Sequence, residues 1–217
     1  MSTQTWIDFI LDHDVVGFFD QPVRLKSGRL SHYYVNWRSV SEDTYLIDQA
    51  TDFIVDFVAQ QGWSPDCIFG VPEGASKLAL LSQYKWARRS PHYAKGSHIF
   101  AMGRGKPKEH GPLKDRAFLG HPRGQVVLLE DVTTTGDSLL RTVEQLRQLD
   151  LSIVAAMCLT DRMEPRQDGQ HISCVLESYK IPFVAMSQAD QFLPAAIEKQ
   201  QPSDSVKLAL QKERSGE

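Results

Sequence analysis

Residues 126–138 combine an apolar run, two adjacent carboxylates and a turn rich in threonine and glycine, followed by a segment with helical spacing. In such a strand–turn–helix unit, backbone N–H groups and hydroxyls converge at the positive end of the helix, where a phosphate binds well. Glu130 and Asp131 come at the end of the strand, and their oxygens can accept hydrogen bonds from the 2′ and 3′ hydroxyls of a ribose. The segment therefore predicts a site for a phosphorylated ribose.

The same segment has a simpler interpretation, in which the acidic pair is solvated and Thr135 or Asp137 caps an ordinary helix. It matches neither the Walker phosphate loop nor the glycine-rich dinucleotide fingerprint. Asp137 also brings a negative charge close to the predicted phosphate, and this conflict disappears only if its carboxylate faces outward as a cap.

A second chemical feature is the basic segment 103–124, which contains five glycines, three prolines and six lysines or arginines. Long loops without regular structure inside a compact domain are usually functional or disordered. A loop that closes over a phosphorylated ligand and supplies Arg104, Lys106, Lys108 and His110 would stabilise a departing anion and exclude water. The alternative is a solvated basic surface loop.

The elements around these segments alternate between strand and helix, which predicts an α/β fold with a parallel sheet covered on both faces. Pro202 splits the last helical segment in two. The predicted helices cover 5–16 (closed by Gly17), 44–61, 74–88, 137–149 and 189–212. The predicted strands are a hairpin over 23–36, the runs 66–71, 98–102, 125–129 and 151–159, and weaker runs at 172–177 and 181–186.

Composition narrows the class of protein. The chain has 217 residues, 41% of them hydrophobic, and 24 Lys and Arg against 27 Asp and Glu give a net charge of -3. This predicts one compact domain over 1–217, with no nucleic-acid or membrane partner. Cys67, Cys158 and Cys174 are predicted to be buried free thiols, and with no secretory signal at the start we expect a cytoplasmic protein without structural zinc.

Four stretches resemble a known family. Residues 126–138 resemble the PRPP (5-phosphoribosyl 1-pyrophosphate) motif of type I phosphoribosyltransferases. Segments 25–36, 104–111 and 160–164 are similar to the Leu-Lys-Ser-Gly-Arg element, the basic loop and the Leu-Asp-Arg segment of orotate phosphoribosyltransferases, and the resemblance spans about 15–190. It implies a type I phosphoribosyltransferase fold with a central parallel sheet flanked by helices. A small hood would come from 1–40 and part of the C-terminal region, and 103–124 would be a flexible catalytic loop.

The implied reaction transfers phosphoribose from PRPP to orotate in pyrimidine biosynthesis, with Mg²⁺ held mainly through PRPP and not directly by protein residues. A homodimer that shares the loop between subunits is also implied. Lys108, His110 and Asp131 would be catalytic, and the orotate site would contain Tyr34, Val35, Thr134 and Arg162. The implied PRPP contacts are Lys26, Arg104, Lys106, Lys108, His110, Glu130, Asp131, Thr133, Thr134, Thr135, Gly136, Asp137 and Ser138.

Several of these residues also have purely structural interpretations. Lys26 is alternatively a surface lysine, and Arg162 is alternatively paired with Asp161 or Glu164, although a guanidinium suits a bidentate carboxylate. Tyr33 and Tyr34 are alternatively packing residues.

The chain departs from the family pattern at two places. Gly105 replaces a lysine, and Glu73-Gly74 replaces a Tyr-Lys pair, which puts the affinity for pyrophosphate in doubt unless Lys106 or Lys77 compensates. Two other functions remain open: transfer to another base, against which Arg162 argues, and a non-catalytic PRPP-sensing regulator, against which the loop argues.

Overall fold

The computed structural model describes residues 2–25, 27–106 and 108–215. The helices in these ranges are α1 (Thr3–Asp12), α2 (Arg38–Glu42), α3 (Thr44–Gln60), α4 (Ser76–Arg89), α5 (Leu113–Ala117), α6 (Asp137–Arg147), α7 (Ile172–Ser178), α8 (Ala189–Gln200) and α9 (Asp204–Ser215). The strands are β1 (Val16–Arg24), β2 (Leu30–Val35), β3 (Cys67–Gly70), β4 (Met102–Gly103), β5 (Phe118–Leu119), β6 (Gln125–Thr133), β7 (Ser152–Asp161) and β8 (Phe183–Ala185).

The main sheet of the described chain consists of β3, β6, β7 and β8 in that spatial order, all parallel. β6 pairs with β3 on one side and with β7 on the other. The predicted parallel sheet flanked by helices is thus confirmed. Since the carboxyl ends of parallel strands lie at one edge, the residues that follow β3, β6 and β7 come together there.

Alternating side chains of the sheet enter two apolar layers. Ile68, Val127 and Leu129 face α1, α3, α4, α8 and α9, whereas Phe69 and Leu128 face α6 and α7. Each of these five side chains is at most 1% exposed. Complete burial of such a side chain contributes about 1.5–3 kcal/mol, so this double layer fixes the sheet edge that holds the predicted site.

An antiparallel hairpin of β1 and β2 precedes the sheet and pairs Val16 with Val35. Helix α9 packs against it, because the Glu213 carboxylate accepts hydrogen bonds from the Ser31 hydroxyl at 2.9 Å and from the His32 N–H at 2.8 Å. Because its strands pair from Val16 onward, this hairpin is longer than the one predicted over 23–36. A hood made of 1–40 and part of the C-terminal region stays a prediction.

The first helix ends earlier than predicted. α1 stops at Asp12 instead of continuing to residue 16, and Gly17 lies inside β1. Asp14 has a φ of 50°, which interrupts the helix. The residues that follow, Val15, Val16 and Phe18, are β-branched or aromatic and suit a strand.

Two predicted strands are also wrong in part or in full. Residues 172–177 lie in the helix α7. The ring of His171, which precedes the helix, accepts a hydrogen bond from the N–H of Ser173, and the buried residues Ile172 and Leu176 lie one turn apart. Within 98–102, regular pairing begins only at Met102.

The segment 103–124 is more ordered than the prediction of a structureless loop, because α5 and β5 lie inside it. All three cysteines are free, but the prediction of burial holds only for Cys67 and Cys158; Cys174 is on the exposed side of α7. In the part of the chain that the structure describes, no helix combines the length and apolar character that crossing a bilayer requires.

Candidate active site

A cleft of about 230 Å³ opens at the carboxyl edge of the sheet. Its walls come from the carboxyl-terminal parts of β3, β6 and β7 with the residues that follow them, as the parallel topology requires, and from the β1–β2 hairpin with the residues that follow it. The lining residues are Leu25, Ser27, Tyr34, Val35, Asn36, Trp37, Arg38, Pro72, Glu73, Gly74, Glu130, Asp131, Val132, Thr134, Thr135, Gly136, Asp137, Ser138, Arg141 and Arg162.

The turn between β6 and α6 forms one end of this cleft. Gly136 precedes the helix with a φ of 75°, and a β-carbon at this position would collide with Ile172. Gly136 is the N-cap residue of α6 and has no side chain to occupy the space before the helix. The prediction that Thr135 or Asp137 acts as an ordinary cap is not what the structure shows, since the Thr135 hydroxyl donates to Asp137 instead. The first N–H groups of α6 are therefore suited to an anion.

The Asp137 carboxylate is held by two neighbours at this turn. It accepts hydrogen bonds from the Thr135 hydroxyl at 2.9 Å and from Arg166 at 2.8 Å. Partial burial acts to raise the pKa of Asp137, but these two hydrogen bonds and the charges of Arg166 and Arg141 lower the pKa below its ordinary value. The negative charge that conflicted with a phosphate is thus paired with a cation.

The acidic pair lines the same cleft. Glu130 is 6% exposed, and the carboxylate of Asp131 packs against Gly74 so closely that a side chain at position 74 would collide with it. Thr133, which was predicted to contact PRPP, is 1% exposed and does not line the cleft. β6 continues through Thr133, and its side chain points into the interior.

At the other end of the cleft, Arg162 follows β7 and is buried, with a side chain that is 3% exposed. Its Nε donates to Glu164 at 2.6 Å, and its guanidinium lies 3.8 Å from the centre of the Tyr33 ring. Nη1 donates to the Tyr33 carbonyl at 3.2 Å and Nη2 to the Ser31 hydroxyl at 3.0 Å. These bonds use three of the five N–H groups of a guanidinium, so donors remain for a carboxylate in the cleft.

Tyr34, Val35 and Thr134 line the same cleft as Arg162, as the predicted base pocket requires. Tyr34 is 38% exposed, whereas its neighbour Tyr33 is 5% exposed and packs in the core beneath Arg162. The packing interpretation therefore applies to Tyr33.

The basic side chains that were predicted to bind PRPP are not among the described residues that line this cleft in their own chain. Arg104 donates from Nε to the carbonyls of Asp115 and Phe118, and Lys108 donates its backbone N–H to Arg116. Neither of these residues, nor Lys106 or His110, is among the described residues that line the cleft. Lys26 lies outside the described residues.

Two arginines in the cleft were not predicted from the sequence. Arg141 lies 3.4 Å from the Ser138 hydroxyl, and its spacing from Ser138 on the predicted helix was a usable signal. Arg38 follows β2 without such a signal. The described residues that line the cleft include three arginines and four carboxylates, so their side chains carry no excess of positive charge.

The described residues contain no group of three or more His, Cys, Asp or Glu positioned to hold a metal ion. Glu130 and Asp131 nevertheless provide carboxylate oxygens in the cleft, which is the ligand type that Mg²⁺ prefers. Because Mg²⁺ takes about six oxygens, this donor set fits an ion whose other ligands come from a bound substrate and water.

Relatives with about 30% sequence identity align with most of the chain, although no protein-family model matches it. Orotate phosphoribosyltransferase of Bradyrhizobium diazoefficiens is 33% identical over an alignment of 183 positions, which covers 80% of this chain and 88% of the relative. The same enzyme of Aquifex aeolicus is 30% identical over 178 residues, with the same coverage of 80% and 88%.

Solved structures agree on the fold. Orotate phosphoribosyltransferase of Francisella tularensis superposes with a TM-score of 0.68 at 19% identity and covers 97% of this chain and 98% of its own. UMP synthase of Leishmania donovani gives a TM-score of 0.70 at 19% identity, with 98% of this chain matching 43% of that longer one. With these relatives and this cleft, the chain belongs to the orotate phosphoribosyltransferase family.

Proposed function

We propose that the cleft at the carboxyl edge of the sheet is the active site, in which the 5-phosphoribosyl group of PRPP passes to orotate. The products are orotidine 5′-monophosphate and pyrophosphate, in the synthesis of pyrimidine nucleotides. One observation carries the proposal: a carboxylate pair, the glycine turn at the N-terminus of α6, and a buried guanidinium all line one cleft. Their chemistry suits a ribose, a phosphate and a carboxylate, respectively.

The 5′-phosphate would bind the turn of Thr134, Thr135, Gly136, Asp137 and Ser138, and the ribose hydroxyls would bind Glu130 and Asp131. Support comes from Gly136 at the start of α6 and from the two carboxylates, which line the same cleft. Orotate would lie against Tyr34, Val35 and Thr134, with its carboxylate at Arg162. Thr133 would then act as a buried support of the turn and not as a ligand.

In the proposed reaction, the bond between ribose C1 and a pyrophosphate oxygen breaks, and its electron pair leaves with the pyrophosphate. A ring nitrogen of orotate loses its proton to solvent and donates the electron pair of the new bond to C1. The ribose passes through an oxocarbenium-like state, which the negative charge of Asp131 stabilises. Lys108 and His110 would stabilise the departing pyrophosphate, together with the other basic groups Lys26, Arg104 and Lys106.

Mg²⁺ is part of the proposal. Glu130 and Asp131 would hold it indirectly through the substrate, and the ion would supply positive charge to the phosphate oxygens. The lining with three arginines and four carboxylates supports such a requirement, since PRPP brings several negative charges of its own.

A homodimer is proposed on the same grounds. Because Arg104, Lys106, Lys108 and His110 do not line the cleft of their own chain, the loop of a second copy would supply the missing cations. We also propose that the protein works in the cytoplasm, since all three thiols are free.

The decisive experiment measures orotate consumption by the full chain with PRPP and Mg²⁺, with adenine, hypoxanthine and uracil as competing bases. We expect turnover with orotate alone. Asp131→Asn should abolish most of it, whereas Asp150→Asn, a matched change at an exposed position outside the cleft, should not. Turnover of another base at a comparable rate, or none with orotate, would refute the proposed reaction.

A further inference from the structure

Arg166 lies directly behind the turn that follows β6, although it is 29 residues away from Asp137 in the sequence. Its Nη1 donates to Asp137 Oδ1 at 2.8 Å and to the carbonyl of Thr135 at 2.6 Å. The Arg166 side chain is 20% exposed and is not among the described residues that line the cleft. It therefore contacts the turn from outside the cleft.

The first consequence of this contact is electrostatic. Asp137 is the first residue of α6 and lines the cleft beside the proposed phosphate. An unpaired carboxylate there would repel a phosphate dianion and offset the positive potential at the N-terminus of α6. The guanidinium of Arg166 cancels this charge without entering the cleft, so the N–H groups of the turn can attract the phosphate.

The second consequence concerns the backbone. In a trans peptide the C=O and the following N–H point in opposite directions. Since Arg166 holds the carbonyl of Thr135, the N–H of Gly136 points away from Arg166, which is not among the described residues that line the cleft. The other possible anchor of Arg166 is weaker, because its Nε lies 3.9 Å from Asp168. The hydrogen bonds between Arg166 and the turn therefore depend on its Nη1.

We propose that Arg166 is a positioning residue for the 5′-phosphate of PRPP, acting through Asp137 and the Thr135 carbonyl. This inference rests on the proposed function, because it needs a phosphate in the turn. It also explains how the chain has an aspartate at the start of α6, beside an anion site: the charge is taken up by an arginine from the segment after β7.

The inference predicts an order of affinities that a purely structural role would not produce. Arg166→Gln uncovers the charge of Asp137 and should weaken binding of ribose 5-phosphate by about 10-fold or more. Asp137→Asn should bind at least as tightly as the wild type. The double variant should bind more tightly than Arg166→Gln, because the uncovered charge is gone.

Isothermal titration calorimetry with ribose 5-phosphate measures these affinities, and steady-state kinetics should show a larger change in KM for PRPP than in kcat. Arg147→Gln, at the exposed far end of α6, is the matched control, and Arg166→Lys tests whether charge alone suffices. Circular dichroism confirms that each variant is folded. If Arg166→Gln binds ribose 5-phosphate as tightly as the wild type, or if the double variant shows no recovery, the proposed role of Arg166 is wrong. The proposed function is not affected by that outcome. A wild type that binds neither ribose 5-phosphate nor PRPP overturns the proposed function as well.

Discussion

The carboxylate of Glu73 lies against Gly105, in the space that a side chain at position 105 would occupy. Both residues belong to the departures from the family pattern. Gly105 replaces a lysine, and Glu73 is part of the Glu73-Gly74 pair that replaces a Tyr-Lys pair. Their contact indicates that the two replacements belong together, since a longer residue at 105 would have to displace Glu73. Glu73 also lines the cleft, so a negative charge stands in the wall that faces the substrate.

Removing this charge should improve binding of PRPP. We expect Glu73→Gln to lower KM for PRPP about threefold to fivefold, because a solvated carboxylate near a polyanion contributes roughly 1 kcal/mol of repulsion. Steady-state kinetics at saturating orotate measure the change, and Glu144→Gln, exposed on α6 outside the cleft, is the control. A rise in KM would mean that Glu73 assists binding.

The loop cations and Lys26 should complement each other between subunits. Lys26→Ala and Lys108→Ala are each expected to lower turnover strongly while leaving folding intact. In a 1:1 mixture with random subunit exchange, half of the dimers carry one intact shared site, so about a quarter of wild-type activity should return.

The control for this experiment is a mixture of Arg104→Ala and Lys108→Ala, in which both changes lie in the same loop and no intact site can form. Mass spectrometry verifies that the subunits have exchanged. If the mixture of Lys26→Ala and Lys108→Ala then has only the mean activity of its two components, the result would argue against a shared site. Unchanged kinetics of Lys108→Ala alone would remove the loop from the mechanism.

How much of this site the sequence predicts depends on whether its signals are local. The strand, turn and helix around Gly136 follow from a contiguous pattern, and so do the acidic pair and Ser138. Thr133 was predicted to belong to the turn. In the structure it is the last residue of β6, and its side chain is buried. The partner of Asp137 comes from a segment after the next strand, and no local spacing indicates such a contact.

The same distinction applies to the fold. Helices with a clear apolar stripe, such as α3 and α6, were predicted within one or two residues. Residues 172–177 were misassigned because a short apolar run does not separate a strand from a helix. The cap by His171 decides in favour of the helix, and Cys174 becomes exposed as a result.

The buried pair of Arg162 and Glu164 should make a large contribution to stability. Arg162→Ala leaves the Glu164 carboxylate, which is 13% exposed, without its hydrogen-bonded partner and with only the more distant Arg29 at 3.9 Å among the described residues. We expect the free energy of unfolding to fall by about 3–5 kcal/mol, measured by urea denaturation.

A second change separates this structural effect from substrate binding. Arg162→Ala/Glu164→Gln should recover part of the lost stability, because the unpaired charge is removed. Orotate turnover should stay low in this double variant if Arg162 binds the orotate carboxylate. Recovery of both properties together would assign Arg162 a structural role only.

The three thiols should differ in reactivity. Burial, with a smaller effect of Asp66, raises the pKa of Cys67 to about 12, and burial raises the pKa of Cys158 well above its ordinary value. Because the thiolate is the reactive form, iodoacetamide at about pH 8 should label only the exposed Cys174 in the native protein. Mass spectrometry should show one label in native wild type, none in native Cys174→Ser, and three in denatured wild type. A second label on the native protein would contradict the burial.

The ion pair of Asp137 and Arg166 should make stability depend on pH in a defined direction. The pKa of Asp137 is lowered in the folded state, so the pair contributes its full stability above the unfolded pKa of about 4 and loses it as pH falls through the folded pKa. The difference in unfolding free energy between wild type and Asp137→Asn should therefore favour the wild type at pH 7 and shrink in acid. Chemical denaturation between about pH 7 and 2.5 measures it.

The same comparison in an Arg166→Gln background provides the control for this pH dependence. Without the guanidinium, the hydrogen bond from Thr135 and the charge of Arg141 still act on Asp137, so the acid-dependent difference should become smaller but not vanish. A difference that stays constant down to acid pH, or that grows on acidification, would show that the pair does not stabilise the folded turn. An undiminished pH dependence in the Arg166→Gln background would assign the stabilisation to Thr135 and Arg141 instead.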